Sequence, residues 1–147
     1  MSLLGNSETS DQQIRDYTLG RTLGIDGGSK VKIGTDSQGN QAALKIFDCN
    51  YMPTIQRTMQ YYFAETEALS QLSHPNVVRF LKSSEFSQLH SAGSKKRITY
   101  IATELVNGHE LMEYAQMQVF SEPTAKYFFR QMLSGLKHIH DKGFSHR

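Results

Sequence analysis

The chain has 147 residues, 38% hydrophobic and 20% charged, with a formal net charge of +2. That balance excludes a disordered polyelectrolyte and leaves enough apolar material for one domain with its own core. The densest basic stretch is Lys95-Lys96-Arg97, too short to argue for a nucleic-acid partner, and it reads as a solvated loop.

Cys49 is the single cysteine, so no internal disulfide can form, which fits a reducing compartment. No apolar run approaches the roughly 20 residues of a membrane helix. Met1–Gly5 lacks the regions of a signal peptide, and Gly5 is misplaced for myristoylation. A soluble cytoplasmic protein is expected, with no membrane partner.

Residues 1–16 are polar and aperiodic and read as a mobile tail. Tyr17–Gly24 alternates like a strand, Ile25–Ser29 is a glycine turn, and Lys30–Gly34 alternates again. Asp36–Asn40 is a second turn cluster, and Gln41–Phe47 is the third strand, completing an antiparallel meander. Pro53 precedes a helix over Thr54–Leu72, with Phe63, Thr66, Leu69 and Leu72 near one face and Tyr62 beside it. His74-Pro75-Asn76 ends it. Val77–Leu81 reads as a fourth strand, Ser83–Lys96 as a long polar loop, and Ile98–Val106 as a fifth strand. After the Asn107-Gly108 break, a short helix is expected over Glu110–Gln116. The final helix starts at the N-cap Ser121 with Pro123 in its first turn. Ala125, Phe128, Phe129, Met132, Leu133, Leu136 and Ile139 recur on one face, and Gly143 ends it.

Within the third strand, Gln41-Ala42-Ala43-Leu44-Lys45 puts one lysine on an apolar run. Such a lysine is expensive to bury without a partner. The question is what anion Lys45 holds and what carboxylate holds Lys45. Taken alone, Lys45 and Glu65 are also compatible with solvated charges on ordinary elements.

Leu23-Gly24, Val31, Ala43-Leu44-Lys45, Glu65, His74-Pro75-Asn76 and Glu110 stand at the spacings of a eukaryotic protein kinase N-lobe. The chain resembles that family from about Tyr17 to Arg147, where His146-Arg147 looks like the start of the catalytic-loop signature H-R-D. The first strands most resemble the calcium/calmodulin-dependent and AMP-activated branch of serine/threonine kinases. The resemblance implies an α+β fold: a five-stranded antiparallel sheet plus the family's αC helix, then the first helices of the C-lobe. Residues 17–106 would be the ATP-binding N-lobe, and 107–147 the hinge and the start of an incomplete C-lobe.

The resemblance also assigns roles. Lys45 would hold the α- and β-phosphates of ATP, and Glu65 would pair with Lys45. Glu67 is two residues on, about 200° round the helix, so it faces elsewhere. Leu23, Gly24, Val31 and Ala43 would cover the nucleotide, the last two around adenine, although both also suit plain strand core. Thr103 would be the gatekeeper, and the backbone of Glu104 and Val106 would meet adenine. Glu110 would bind the ribose hydroxyls, or serve as a helix N-terminal acid. Leu69, Phe80 and His146 would belong to the hydrophobic column joining the lobes, and the first two are equally ordinary core. No metal site is expected; His138 and His140, two apart on a helix, lie on different faces.

Two departures stand out, and one look-alike motif is rejected. In the G-x-G-x-x-G register Gly24 takes the first position, but Asp26 stands at the second and Ser29 at the third. A carboxylate near phosphates repels by about 1–4 kcal/mol at roughly 4 Å, depending on the dielectric, so nucleotide binding weaker than usual is expected. Gly24 to Lys30 nearly mimics a P-loop, but Ser29 and Val31 replace its second glycine and its hydroxyl. The base Asp, the catalytic-loop Asn and the magnesium-binding D-F-G would all lie beyond Arg147, so the ligands of Mg2+ would too. A domain cut off within its catalytic loop is expected, with the apolar face of its last helix open to the missing C-lobe or to a partner. The substrates of the whole enzyme would be ATP and a protein. The alternative is a non-catalytic interaction module.

Overall fold

The computed structural model describes residues 12–145 except 27, 51, 118 and 119. Six strands precede and follow one long helix, and two further helices close the sequence. The strands are β1 (Gln13–Ile14), β2 (Tyr17–Asp26), β3 (Ser29–Thr35), β4 (Gln41–Asp48), β5 (Phe80–Ser91) and β6 (Ser94–Glu104). The helices are α1 (Met52–Gln71), α2 (Leu111–Gln116) and α3 (Glu122–Asp141). All strand pairs are antiparallel, and the sheet closes on itself in the order β1-β2-β3-β4-β6-β5.

The expected five-stranded sheet is therefore corrected to a closed barrel of six. The added strand, β1, lies in the stretch read as a tail; residues 1–11 of that stretch lie outside the described residues. Gln13 faces Thr18 on one side and His90 on the other, and Ile14 faces Tyr17 and Leu89. Two residues suffice because Ile14 is fully buried in the barrel. Its neighbours carry hydrogen bonds: Leu19 N–H donates to Gln12 O at 2.9 Å, and Gln12 Nε2 donates to Ser91 Oγ at 3.2 Å. One buried isoleucine among polar residues has no period to reveal it.

The second correction is the Ser83–Lys96 loop, which is a hairpin. β5 and β6 run to a two-residue turn at Ala92-Gly93, closed by Ser91 opposite Ser94. Both turn residues have positive φ, 38° and 81°, as the twist-matched hairpin turn requires. Ala92 disguises the turn, since asparagine or glycine is the usual residue there. The strand is disguised too, because the buried positions of β5 include Ser84 and Ser87, whose hydroxyls bond each other at 2.8 Å. A bulge at Phe86, with φ 50°, breaks the alternation between them.

Two cores share the sheet. Ile14, Tyr17, Leu19, Ala42, Leu44, Ile46, Ile98, Tyr100 and Ala102 fill the barrel. The alternate residues of β4 and β6 face outward, where Phe47 and Ile101 pack with Tyr62 of α1, flanked by Met59, Leu69 and Phe80. Tyr62 thus leads the inner face of α1. Phe63, expected on that face, is 48% exposed, because one residue of helix turns the side chain by about 100°.

Helix α3 begins at Ser121, whose hydroxyl accepts from Thr124 N–H at 3.3 Å. It ends in a Schellman pair, Gly143 N–H to His140 O and Phe144 N–H to Ile139 O, with Gly143 at φ 81°. Gln131, Ser134, Gly135 and His138 form one face, and the segment 73–76 lies against it. A Cβ on Gly135 would stand 2.8 Å from Asn76 O, so only glycine lets the backbones approach. Phe129, Met132, Leu133 and Leu136, on the other side, remain exposed.

Candidate active site

The register of three strands gathers the residues in question. In antiparallel pairs, directly opposed residues share a face. Val31 opposes Lys45, which opposes Ile101. One row along, Ile33 opposes Ala43, which opposes Thr103. Val31, Ala43, Lys45 and Thr103 therefore stand in two adjacent rows on the outer face, the face on which α1 packs. Gly24 opposes Val31 at the near edge, and Leu23 is the extra residue of a bulge in β2.

Helix α1 supplies the acid. Tyr62, Glu65 and Leu69 follow the spacing of one helix face, and burying Tyr62 and Leu69 against the sheet turns Glu65 toward β4. Lys45 Nζ lies 2.6 Å from Glu65 Oε2, with both side chains part-buried at 28% and 33% exposure. The Phe47 ring adds a contact, its centroid 5.5 Å from Lys45 Nζ. Lysine keeps two donor protons beyond the one facing Glu65, so it can hold the carboxylate and a second anion together. Glu67 is exposed, and its carbonyl accepts from the Ser70 hydroxyl at 3.0 Å.

The glycine turn is a tight hairpin. Asp26 opposes Ser29 as its closing pair, and Gly28 has φ 116°. Ser29 is buried. Gly24 has no neighbour within 4 Å of the place a Cβ would occupy, so the strand edge above Val31 is open. Glu104, at the end of β6, is braced twice: its N–H donates to Arg79 O at 2.9 Å, and its Oε1 accepts from Arg79 N–H at 2.8 Å. Val106 and Glu110 lie in the irregular segment after β6 and are exposed. Glu110 has the extended backbone of an N-cap to α2 but makes no side-chain cap bond.

The Arg79 brace was not foreseeable from residue types, because Arg79 contributes main chain only. The Gln131, Ser134, Gly135, His138 face left a weak trace, small and polar residues at helical spacing. His146 lies outside the described residues. Among the described residues, no three His, Cys, Asp or Glu side chains gather to hold a metal ion.

Comparison with known proteins decides the family. Residues 17–147 match the family model of the protein kinase domain. The chain belongs to the protein kinase family. Over 140 residues it is 32% identical to CBL-interacting serine/threonine-protein kinase 9 of Arabidopsis thaliana, covering 94% of this chain and 29% of that protein. Over 133 residues it is 34% identical to CBL-interacting protein kinase 1 of Oryza sativa subsp. japonica, covering 89% of this chain and 27% of that one. The chain thus spans less than a third of these kinase relatives. Kinases of this family use ATP with Mg2+ and act on proteins, and the barrel with its outer helix is the strand-rich part of this kinase domain. No described helix is long and apolar enough to cross a membrane.

Proposed function

We propose that this chain carries the ATP-binding part of a serine/threonine protein kinase that transfers the γ-phosphate to protein Ser or Thr. The supporting observation is the Lys45–Glu65 ion pair at 2.6 Å, on the same sheet face as Val31, Ala43 and Thr103. In this reading residues 17–106 form the nucleotide-binding lobe, and 107–147 form the hinge and the first helices of the second lobe. Lys45 holds the α- and β-phosphates, and Glu65 fixes its direction. Leu23, Gly24, Val31 and Ala43 cover the nucleotide. Thr103 limits the depth of the adenine site, the backbone of Glu104 and Val106 meets the adenine edge, and Glu110 meets the ribose. The Arg79 brace keeps the Glu104 backbone in place. Mg2+, when bound, would accompany the phosphates and neutralise part of their charge.

Asp26 replaces a glycine in the loop over the phosphates. Asp26→Gly is expected to tighten ATP binding several-fold, since the removed repulsion is on the order of 1–4 kcal/mol. Unchanged affinity in that variant sinks the charge argument.

The direct test is phosphorylation of a generic protein substrate by the full-length protein with labelled ATP. Activity is expected on Ser or Thr and lost in Lys45→Met. Label on Tyr alone, or full activity in Lys45→Met, overturns the proposal. The exposed row Phe129, Met132, Leu133 and Leu136 supports a second reading, an interaction module without catalysis. Stoichiometric ATP binding without any phosphate transfer would favour it.

A further inference from the structure

The segment 73–76 that follows α1 is pinned to α3 through two imidazoles. His74 Nδ1 accepts the Asn76 N–H at 3.0 Å, while His74 Nε2 meets Ser134 Oγ at 3.1 Å. His138 Nε2 accepts the Ser73 N–H at 3.4 Å. The two rings stack, with centroids 5.2 Å apart and planes 29° apart. A ring nitrogen that accepts a hydrogen bond carries no proton, so both rings are neutral in this arrangement, with opposite tautomers. Protonating either ring turns an acceptor into a donor facing a backbone N–H. Protonating both also stacks two cations.

We infer that His74 and His138 form a pH-sensitive latch between the C-terminal end of α1 and α3. The latch is closed when both rings are neutral and releases on acidification. The charged groups around the pair do not replace the lost acceptors. On α3, Lys137 donates to Asp141, and His140 lies two residues from His138. From β6 and the segment before β5, Glu104 and Arg79 share a concavity with His74, but Glu104 is held by Arg79 N–H. Asp141 titrates below the usual carboxylate range, chiefly through the Lys137 hydrogen bond, with His138 and His140 adding to it.

The contact matters beyond itself because α1 carries Glu65. Releasing its C-terminal end loosens the helix that presents the acid. The hydrogen bonds of the latch are made without a bound nucleotide.

The test is nitrogen NMR of the histidines with amide exchange in the full-length protein, from about pH 8 to about pH 5, the range in which histidine charge changes. At the upper end, His74 is expected with Nδ1 unprotonated and His138 with Nε2 unprotonated. As the rings protonate, Ser73 and Asn76 amides should lose protection by roughly tenfold each, the scale of one hydrogen bond. The barrel amides of Leu44 and Ala102 should keep theirs. His140→Gln should leave the response intact, and the double variant His74→Gln, His138→Gln should abolish it. A proton on His74 Nδ1 or on His138 Nε2 at the upper end, protection retained at Ser73 and Asn76 after protonation, or loss only together with the barrel amides, overturns the latch.

Discussion

At the scale of single residues, Lys45 shows how burial and charge divide the work. The pair with Glu65 keeps about a third of its surface in water, so it adds at most about 1 kcal/mol to folding. Lys45→Met should therefore shift the urea midpoint of the unliganded protein little. Its value lies in direction: Glu65 holds the ammonium over the face that carries Val31 and Ala43. Asp36 shows a local charge effect of another kind. Its carboxyl titrates below 3.8, through the Asn40 side chain first and then the Asn40 backbone, with the Gln38 N–H adding to it. A lowered carboxylate stabilises the fold above its unfolded value and loses that contribution as pH falls through the folded one. Asn40→Ala should bring Asp36 back toward 3.8 in a carbon-detected NMR titration; an unmoved titration would mean the turn holds the carboxylate by other means.

At the scale of elements, β1 is the smallest and the most dependent on one side chain. Ile14→Ala should cost about 2–5 kcal/mol in chemical denaturation, the usual price of emptying a fully buried aliphatic site. A loss under about 0.5 kcal/mol would mean β1 does not close the barrel in solution. Gly135→Ala on α3 sets two terms against each other. Helix propensity favours alanine by about 1 kcal/mol, but the new Cβ meets Asn76 O at 2.8 Å, and overpacking of that kind costs about 1–3 kcal/mol. The clash involves backbone, so net destabilisation is expected, with increased amide exchange at Asn76. What the sequence made legible follows from period. The alternation of Tyr17–Gly24 and of Lys30–Gly34 announces β2 and β3, the apolar run after the Asp36–Asn40 turn announces β4, and the Ser121 cap with the apolar recurrence announces α3. β1 and the β5–β6 hairpin were hidden. One buried isoleucine carries no period, Ser84 and Ser87 bury hydroxyls where apolar residues are sought, and Ala92 occupies a turn position that glycine or asparagine usually marks.

At the scale of the whole molecule, one sheet serves two cores. Its inner face makes the barrel, and its outer face holds α1 and, in the same two rows, Val31, Ala43, Lys45 and Thr103. The β2-β3-β4 meander could be read from the alternation and the two turns, so Val31 beside Lys45 was within reach of the sequence, whereas the β4–β6 pairing that brings in Ile101 and Thr103 joins distant segments and was not. The Glu65 contact needed the helix spacing as well. The Arg79–Glu104 brace was out of reach because its partners are main-chain atoms on Arg79. In the proposed function Lys45 reads phosphate while the surrounding shelf reads adenine. Calorimetric titration of the full-length protein and Lys45→Met with Mg-ATP and with adenosine separates the two. Lys45→Met should weaken ATP by roughly tenfold or more, the scale of one charge-assisted hydrogen bond, and leave adenosine unchanged. Equal loss for both ligands, or no loss for ATP, would contradict it.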